Sequence, residues 1–328
     1  MAELDLRLDR ARLDRVRHGA TIVPTSPAVF RVGGPGALAC LQGLLTNDLE
    51  KPGDGSLVYG ALLTPKGMIV VDAWVIRQAD AFTLILPNGG HAAALELFTR
   101  QLPPRLARTT DLTGQVTVAW VLGAHGFQVL AKSGVGMPES AGRVVSVGGE
   151  LSPVAIALAP ESAPFVALAA GFAPAVEPIV GRVVAAGAAE GDDGDLHAAR
   201  VLSGWPALGV EIDQRTLPQE VRYDEIGGVS YTKGCYTGQE TVARLHFRGH
   251  SNRELRGLHW FDAEPLDGRA VVHGEKDVGS VRTTLTLEDR VLGLGVLRRE
   301  IGPGEEVTAG GRRAKVVALP FGVDEVDG

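Results

Sequence analysis

The chain has 328 residues, of which 45% are hydrophobic and 22% charged, a composition typical of a globular protein with about two or three domains. Its net charge of −7 argues against a protein that mainly grips nucleic acid, because counterion release requires clustered lysine and arginine. The sequence shows neither a signal segment nor a long apolar run, so we expect a cytoplasmic protein with no membrane partner and no direct nucleic-acid partner.

The chain has only two cysteines, Cys40 and Cys235, which are far apart in sequence. They form no C-x-x-C pair and no disulfide framework, which fits a reducing compartment. Two thiols cannot supply the four cysteine ligands of a usual iron–sulfur cluster, and we predict no resident metal site.

The first third of the chain alternates predicted strands and helices, which is an α+β pattern. Cys40 lies among apolar neighbours in one of these helices, so we expect a buried and inert thiol. In the predicted helix at residues 91–101 we expect Leu95 and Phe98 to face inward. The predicted strands cover residues 4–8, 28–32, 58–63, 68–76 and 82–86, and the predicted helices cover residues 37–45 and 91–101.

Asp72 interrupts an otherwise apolar predicted strand, Ile69 to Val75. A carboxylate at such a position is costly when it is buried without partners. Asp72 is therefore either a surface residue that faces outward or a carboxylate aimed into a ligand cavity. The periodicity of the strand leaves both interpretations open.

The composition and the predicted secondary structure change twice in the second half of the chain. Residues 134–195 are rich in alanine, glycine and proline and end in an acidic, glycine-rich segment, 191–195, that we interpret as a solvated loop before a helix at 196–202. Short strands separated by glycine turns follow from residue 253 and predict a small β-barrel or sandwich. These predicted strands cover residues 255–261, 269–273, 279–286, 291–297, 306–309 and 315–319.

The octapeptide K-G-C-Y-T-G-Q-E at residues 233–240 carries the clearest chemical signal. It follows a strand-like run, 229–232, and Thr237 with Glu240 fits the capping box that marks the start of a helix. Cys235 would then lie near Lys233 and ahead of the positive end of a helix, and both features favour a thiolate. The alternative is a purely structural turn in which Cys235 packs as a small hydrophobe.

Several further stretches match one known family together with the octapeptide. They read F-R-V-x-G at 30–34, L-Q-G-L-L-T-N-D-L at 41–49, L-L-T-P-K-G at 62–67, R-x-x-x-G-x-P-x-x-G-x-E at 200–211 and P-x-E at 218–220. With them the chain resembles the YgfZ-type folate-binding proteins, relatives of the glycine-cleavage T-protein, which is an aminomethyltransferase. The octapeptide resembles the K-G-C-Y-x-G-Q-E motif that separates YgfZ-type proteins from true aminomethyltransferases.

This resemblance implies an α+β protein with the three-domain architecture of the T-protein. Two ferredoxin-like α+β domains and a C-terminal β-barrel would surround a central cavity. We therefore expect a discontinuous folate-binding domain at 1–50 and 135–250, a second α+β domain at 51–134, and the barrel at 251–328.

The resemblance also implies a tetrahydrofolate-type ligand and a role in iron–sulfur cluster assembly or repair. The partners would be the assembly machinery or its client proteins, and the protein would be a monomer. Some members carry a tRNA-modification label for an indirect effect on a cluster-dependent enzyme. Cys235, Lys233 and Asp72 would carry the chemistry. The implied ligand contacts are Asn47, Asp48, Asp72, Arg200, Glu220, Tyr236, Gln239, Glu240 and Arg244.

Two departures from the T-protein keep alternatives open. The G-E-D-G-aromatic-E motif, whose glutamate holds the pterin, is absent, and Val71-Asp72 stands where the T-protein has two adjacent aspartates. One alternative is a folate-dependent aminomethyltransferase with Asp72 as its acid. The other is a carrier for a polyglutamylated heterocycle, a deazaflavin or a folate, that performs no chemistry.

Overall fold

The computed structural model describes residues 5–149 and 152–327. The helices are α1 (Arg10–Arg17), α2 (Ala37–Gln42), α3 (His91–Gln101), α4 (Gly126–Lys132), α5 (Ala173–Ala185), α6 (Asp193–Leu202), α7 (Gln239–Arg248) and α8 (Val323–Asp327). Two short 3₁₀ turns lie at Asn88–Gly90 and Pro218–Val221.

The strands form three sheets. They are β1 (Asp5–Arg7), β2 (Thr21–Thr25), β3 (Ala28–Gly33), β4 (Ser56–Leu63), β5 (Ile69–Gln78), β6 (Ala81–Leu86), β7 (Arg108–Asp111), β8 (Val116–Leu122), β9 (Val144–Val147), β10 (Val154–Leu158), β11 (Ala167–Phe172), β12 (Ala189–Glu190), β13 (Arg253–Trp260), β14 (Ala270–His273), β15 (Lys276–Thr286), β16 (Val291–Arg298), β17 (Glu306–Ala309) and β18 (Arg312–Val317).

The five-stranded sheet has the order β4-β5-β6-β3-β7, and all its pairings are antiparallel. Successive side chains of a strand point to opposite faces, and here both faces are covered. Val58 and Val75 belong to a core on one face, whereas Tyr59 and Trp74 belong to a core on the other. Asp72 is two residues before Trp74, so the alternation turns its carboxylate toward the core that contains Tyr59 and Trp74.

The six-stranded sheet has the order β12-β2-β8-β11-β10-β9. One of its faces packs on α5, where Val176 and Val183 join Ile22 and Val121 in a buried cluster. The opposite face contributes Trp120 to the core that also holds Tyr59 and Trp74. The inner faces of the five-stranded and six-stranded sheets therefore share one core.

The C-terminal strands β13 to β18 close into a six-stranded barrel, because β15 pairs with β14 on one side and with β16 on the other. Strand β1 adds to this barrel parallel to β15. The fully buried Trp260 lies in the barrel core, where its indole N–H donates to the carbonyl of Ala309 (3.1 Å). The predicted C-terminal β-barrel is confirmed.

The two N-terminal sheets divide the chain differently from the predicted domain boundaries. Strand β3 and helix α2 belong with the five-stranded sheet, although both lie in the segment 1–50 that we assigned to the other domain. Strand β8 and helix α4 belong with the six-stranded sheet, although they lie within 51–134. Neither the motifs that carry the resemblance nor hydrophobic periodicity specifies the sheet to which a strand belongs, which explains the difference.

The acidic segment 191–195 is not a solvated loop. Asp192 caps α6, with its side chain accepting from the main-chain N–H of Gly194 (2.8 Å) and that of Asp195. Asp195 is only 1% exposed, and its carboxylate accepts from Arg12 Nε at 2.6 Å. The first turn of α6 is acidic because carboxylates are stabilised near a helix N-terminus, and α1 supplies the arginine.

Two further local predictions are wrong. Leu95 on α3 is 41% exposed, and Leu97 rather than Leu95 joins Phe98 in the core. Residues 229–232 form irregular structure rather than a strand, and the N–H of Ser230 donates to the carbonyl of Thr46 in a loop-to-loop contact. Within the part of the chain that the structure describes, no helix has the length and hydrophobicity that a membrane crossing requires.

Candidate functional site

A cavity of about 660 Å³, here called the central cavity, lies between the two N-terminal sheets and helix α6. Its walls include Trp74 from β5, Trp120 from β8, Phe165 from the β10–β11 connection and Trp205 just after α6. The rings of Trp74 and Trp205 are nearly parallel, with centroids 5.6 Å apart, and Phe165 meets Trp74 edge-on at 4.9 Å. A largely apolar pocket with flat aromatic walls suits a small molecule that carries a planar ring.

Asp72 supplies a buried carboxylate to this cavity. Its side chain lines the cavity while the residue is only 6% exposed. Oδ2 accepts a hydrogen bond from the Tyr59 hydroxyl at 2.9 Å, whereas Oδ1 has no partner among the described residues. Burial raises the pKa of Asp72 to about 6. Of the two interpretations left open by the sequence, the structure selects the carboxylate that faces inward.

Arg200 on α6 also lines the central cavity, but the protein itself uses much of its hydrogen-bonding capacity. Nη1 donates to the carbonyl of Trp205 (2.7 Å) and to Glu211 Oε2 (2.9 Å), and Nη2 donates to Thr283 of the barrel (3.3 Å). The arginine therefore fixes the aromatic wall at Trp205 and joins α6 to the barrel.

The loop of residues 229–238, here called the signature loop, is tied to the segment 42–47 by Lys233. The Lys233 ammonium donates to the carbonyls of Gln42 (2.8 Å), Leu45 (2.7 Å) and Asn47 (2.8 Å). Since an ammonium has three N–H donors, these bonds use all of them. Burial lowers the pKa of Lys233 to about 8. The geometry makes Lys233 a structural tether of the loop that carries Cys235.

The two cysteines differ in exposure. Cys235 in the signature loop is exposed, whereas Cys40 is partly buried against the core of the five-stranded sheet. Neither cysteine lines the central cavity. Among residues 5–149 and 152–327, neither belongs to a group of three or more His, Cys, Asp or Glu side chains that could hold a metal ion.

The predicted capping box at Thr237 and Glu240 is wrong. Helix α7 begins one residue earlier than Glu240, and its N-cap is Gly238, which has φ +82° and no side chain that could cap the helix. Glycine takes this left-handed conformation without a steric cost, and the Thr237 N–H instead donates to the carbonyl of Gly43 (3.0 Å). Cys235 still precedes the start of a helix, as predicted.

The remaining predicted ligand residues lie outside the lining of the central cavity. Asn47 Nδ2 donates to the carbonyls of Tyr59 (2.8 Å) and Gly227 (2.7 Å). Asp48 accepts from the Gln42 side chain (2.7 Å), and Glu220 accepts from the N–H of Leu217 (2.9 Å). The hydrogen bonds of Asn47, Asp48 and Glu220 are therefore made to other parts of the protein, where they hold loop segments in place. The others, which lie on α7 or in the loop before it, are Tyr236, Gln239, Glu240 and Arg244.

Sequence reasoning missed the aromatic walls and the tyrosines behind Asp72. One signal was available, because Trp74 is two residues after Asp72 and must share its face of the strand. Trp120, Phe165 and Trp205 come from separate parts of the chain, and only the fold brings them to Trp74.

The comparisons with known proteins agree with the fold. Residues 10–140 match the GCVT N-terminal domain family. The tRNA-modifying protein YgfZ of Edwardsiella ictaluri is 28% identical over 227 residues, which cover 69% of this chain and 66% of that protein. The tRNA-modifying protein YgfZ of Vibrio atlanticus is 28% identical over 136 residues, which cover 38% of this chain and 42% of that protein. The matched parts span less than two thirds of both relatives.

The crystal structure of the glycine cleavage system aminomethyltransferase T from Bartonella henselae superposes with a TM-score of 0.79 at 17% identity. The match covers 96% of this chain and 89% of that one. The predicted resemblance is confirmed: residues 10–140 match the GCVT N-terminal domain family, the fold is T-protein-like, and the chain is similar to proteins named YgfZ.

Proposed function

We propose that this chain is a YgfZ-type folate-binding protein and that the central cavity holds the ligand. The observation that carries the proposal is Asp72, which lines an aromatic-walled cavity and whose buried Oδ1 has no hydrogen-bond partner among the described residues. A buried acceptor without a hydrogen bond costs free energy, which a ligand N–H at this oxygen would recover. The pyrimidinone ring of a reduced folate is flat, and the reduced pterin carries N–H donors. The YgfZ homologues and the GCVT domain also support this ligand class.

The ligand would be tetrahydrofolate or a close relative. A deazaflavin is the alternative, since it also presents a flat heterocycle and carries a polyglutamate tail. Protein purified from its own host and then denatured should release a molecule with the mass and absorbance of a folate. Release of a deazaflavin would instead favour the alternative function, in which the protein is a carrier that performs no chemistry.

We also place the protein in iron–sulfur cluster assembly or repair in the cytoplasm, with the assembly machinery or client proteins as partners. Support comes from the exposed Cys235 in a loop that Lys233 holds in place, and from the YgfZ homologues. An exposed thiol can contact a cluster or an electrophile presented by another protein. The cluster would be cargo and not a resident group.

A folate-dependent aminomethyltransferase is the second candidate, and one observation favours it. Because burial raises the pKa of Asp72 to about 6, a fraction of this carboxyl is protonated near neutral pH and could act as a general acid. Activity with an aminomethyl-lipoyl carrier would select this candidate.

Titration with 5-formyltetrahydrofolate tests the ligand site. Three tryptophans line the central cavity, so bound folate should quench tryptophan fluorescence. Asp72→Asn should weaken binding about tenfold or more, because it removes the anionic acceptor. Asp213→Asn is the matched control, because it makes the same change at a carboxylate that lies outside the cavity lining. Equal affinities in the wild-type protein and Asp72→Asn would remove the proposed site.

A further inference from the structure

Two buried tyrosines continue the hydrogen bonding of Asp72 away from the central cavity. The Tyr59 hydroxyl lies 2.9 Å from Asp72 Oδ2, and the Tyr223 hydroxyl lies 3.0 Å from that of Tyr59. Tyr59 is 3% exposed and Tyr223 is fully buried. The three side chains form one chain of hydrogen bonds, here called the hydroxyl chain.

The hydroxyl chain has a fixed direction when Asp72 is ionised. A carboxylate only accepts, so Tyr59 must donate its single proton to Oδ2. Tyr59 then has only lone pairs to offer, and Tyr223 must be the donor in the second bond. Burial raises the pKa of both tyrosines well above the usual value, so both remain protonated donors.

The surrounding packing holds both rings in place. The Tyr59 ring packs against both Trp74 and Trp205, with centroid distances of 4.9 and 4.7 Å. Tyr223 packs on the backbone of Gly228, where an added Cβ would lie 2.5 Å from the ring. The two hydroxyls therefore have little freedom to turn to other partners.

We propose that Tyr59 and Tyr223 are positioning residues that occupy Oδ2 of Asp72 and present Oδ1 to the central cavity as an acceptor, so that the facing ligand group must be a hydrogen-bond donor. This inference rests on the proposed function, because it concerns the same cavity. It adds a requirement on the ligand, which must place an N–H or O–H group within hydrogen-bond distance of Oδ1.

Several titratable groups surround Asp72, and they bear on any pH dependence. Tyr59 faces it from β4, and Tyr223 lies behind Tyr59. Three titratable side chains of α6 line the same cavity, and one of them, Arg200, is paired with Glu211. The three are Asp193, His197 and Arg200.

Carbon-13 NMR of aspartate carboxyl groups tests the positioning role without any ligand. The Asp72 signal, assigned by its loss in Asp72→Asn, should titrate near pH 6 in the wild-type protein. Tyr59→Phe should move this midpoint up by about one pH unit, because the ionised form loses a hydrogen bond. Tyr223→Phe should move it less, since it acts through Tyr59.

Tyr231→Phe is the matched control, because Tyr231 donates to a different carboxylate, that of Asp224, outside the central cavity. Thermal unfolding would confirm that each variant is folded, and Tyr223→Phe is the second variant should Tyr59→Phe not fold. An unchanged Asp72 midpoint in a folded variant would overturn the positioning role.

The affinity for 5-formyltetrahydrofolate as a function of pH tests the role toward the ligand. Wild-type affinity should fall below about pH 6 as Oδ1 ceases to be an anionic acceptor, and in Tyr59→Phe it should fall at a higher pH. Adding Tyr59→Phe to Asp72→Asn should change affinity less than about twofold, since the two residues act as a unit. Identical pH curves for the wild-type protein and Tyr59→Phe would overturn the ligand-facing role.

A wild-type protein that binds no folate would overturn the proposed function, while the NMR midpoints would still decide the positioning role.

Discussion

Gly238 and Gly67 touch across the junction between helix α7 and the β4–β5 turn. Gly238 has φ +82° and Gly67 has φ +86°, and a Cβ added to Gly238 would lie 3.0 Å from the Cα of Gly67. The same Cβ would approach the carbonyl oxygen of Thr64 to 2.5 Å. Two stretches that are far apart in sequence, L-T-P-K-G and Y-T-G-Q-E, therefore meet through their glycines.

Replacement of Gly238 by alanine should destabilise this junction. The side chain would be strained by the positive φ and would collide with backbone, which together should cost about 1–3 kcal/mol. Urea unfolding would measure the change. The matched control is Gly234→Ala in the same octapeptide, where the added Cβ has open space and the wild-type stability should remain within about 0.5 kcal/mol. Equal losses in both variants would contradict the close contact.

Lys233→Met should loosen the signature loop. It removes the ammonium that three carbonyls share and leaves these acceptors without their partner, at a cost of about 2–4 kcal/mol. Lys66→Met, at an exposed lysine in the β4–β5 turn, is the control and should be nearly neutral. Chemical unfolding would compare the two, and a neutral Lys233→Met would show that the tether contributes nothing to stability.

Asp72→Asn should increase stability at pH 7, in contrast to its predicted loss of ligand. The folded pKa of Asp72 is raised from 3.8 to about 6, so between these values the folded state holds a proton that the unfolded state has released. The wild-type protein therefore loses stability from this group as pH rises from about 4 to 6, by up to about 3 kcal/mol. The difference in unfolding free energy between Asp72→Asn and wild type should grow over this pH range. A difference independent of pH would show that the carboxyl is not buried as described.

Cys235 should react with iodoacetamide faster than Cys40 in the native protein, because Cys235 is exposed and Cys40 partly buried. Peptide mapping after brief alkylation would measure both sites. A faster reaction at Cys40 would contradict this order.

Cys235→Ser should keep the fold and the folate affinity, because Cys235 lines no part of the central cavity. It should lose the ability to restore iron–sulfur enzyme activity in a strain without the protein, since serine is a far weaker nucleophile and metal ligand at neutral pH. Cys40→Ser is the control and should restore activity. Full rescue by Cys235→Ser would mean that the thiol is structural. It would favour the alternative in which the protein is a carrier that performs no chemistry.

The sequence determined the features that depend on neighbouring residues. Helix α3 has the predicted bounds of 91–101, and the hairpin of β4 and β5 turns at the predicted T-P-K-G. The barrel strands also lie within a few residues of their predicted positions. Side-chain alternation and turn residues act over a few residues, so they can be read without knowledge of the fold.

Only the tertiary structure decided where distant segments meet. It assigned β3 and β8 to their sheets, turned Asp72 inward, and used the Lys233 ammonium to hold carbonyls of segment 42–47. The walls of the central cavity come from separate strands and loops, and a sequence pattern does not specify which side chains will face each other across a gap. Burial and unpaired polar atoms are properties of the packed molecule, which is why the acceptor at Asp72 became visible only in the fold.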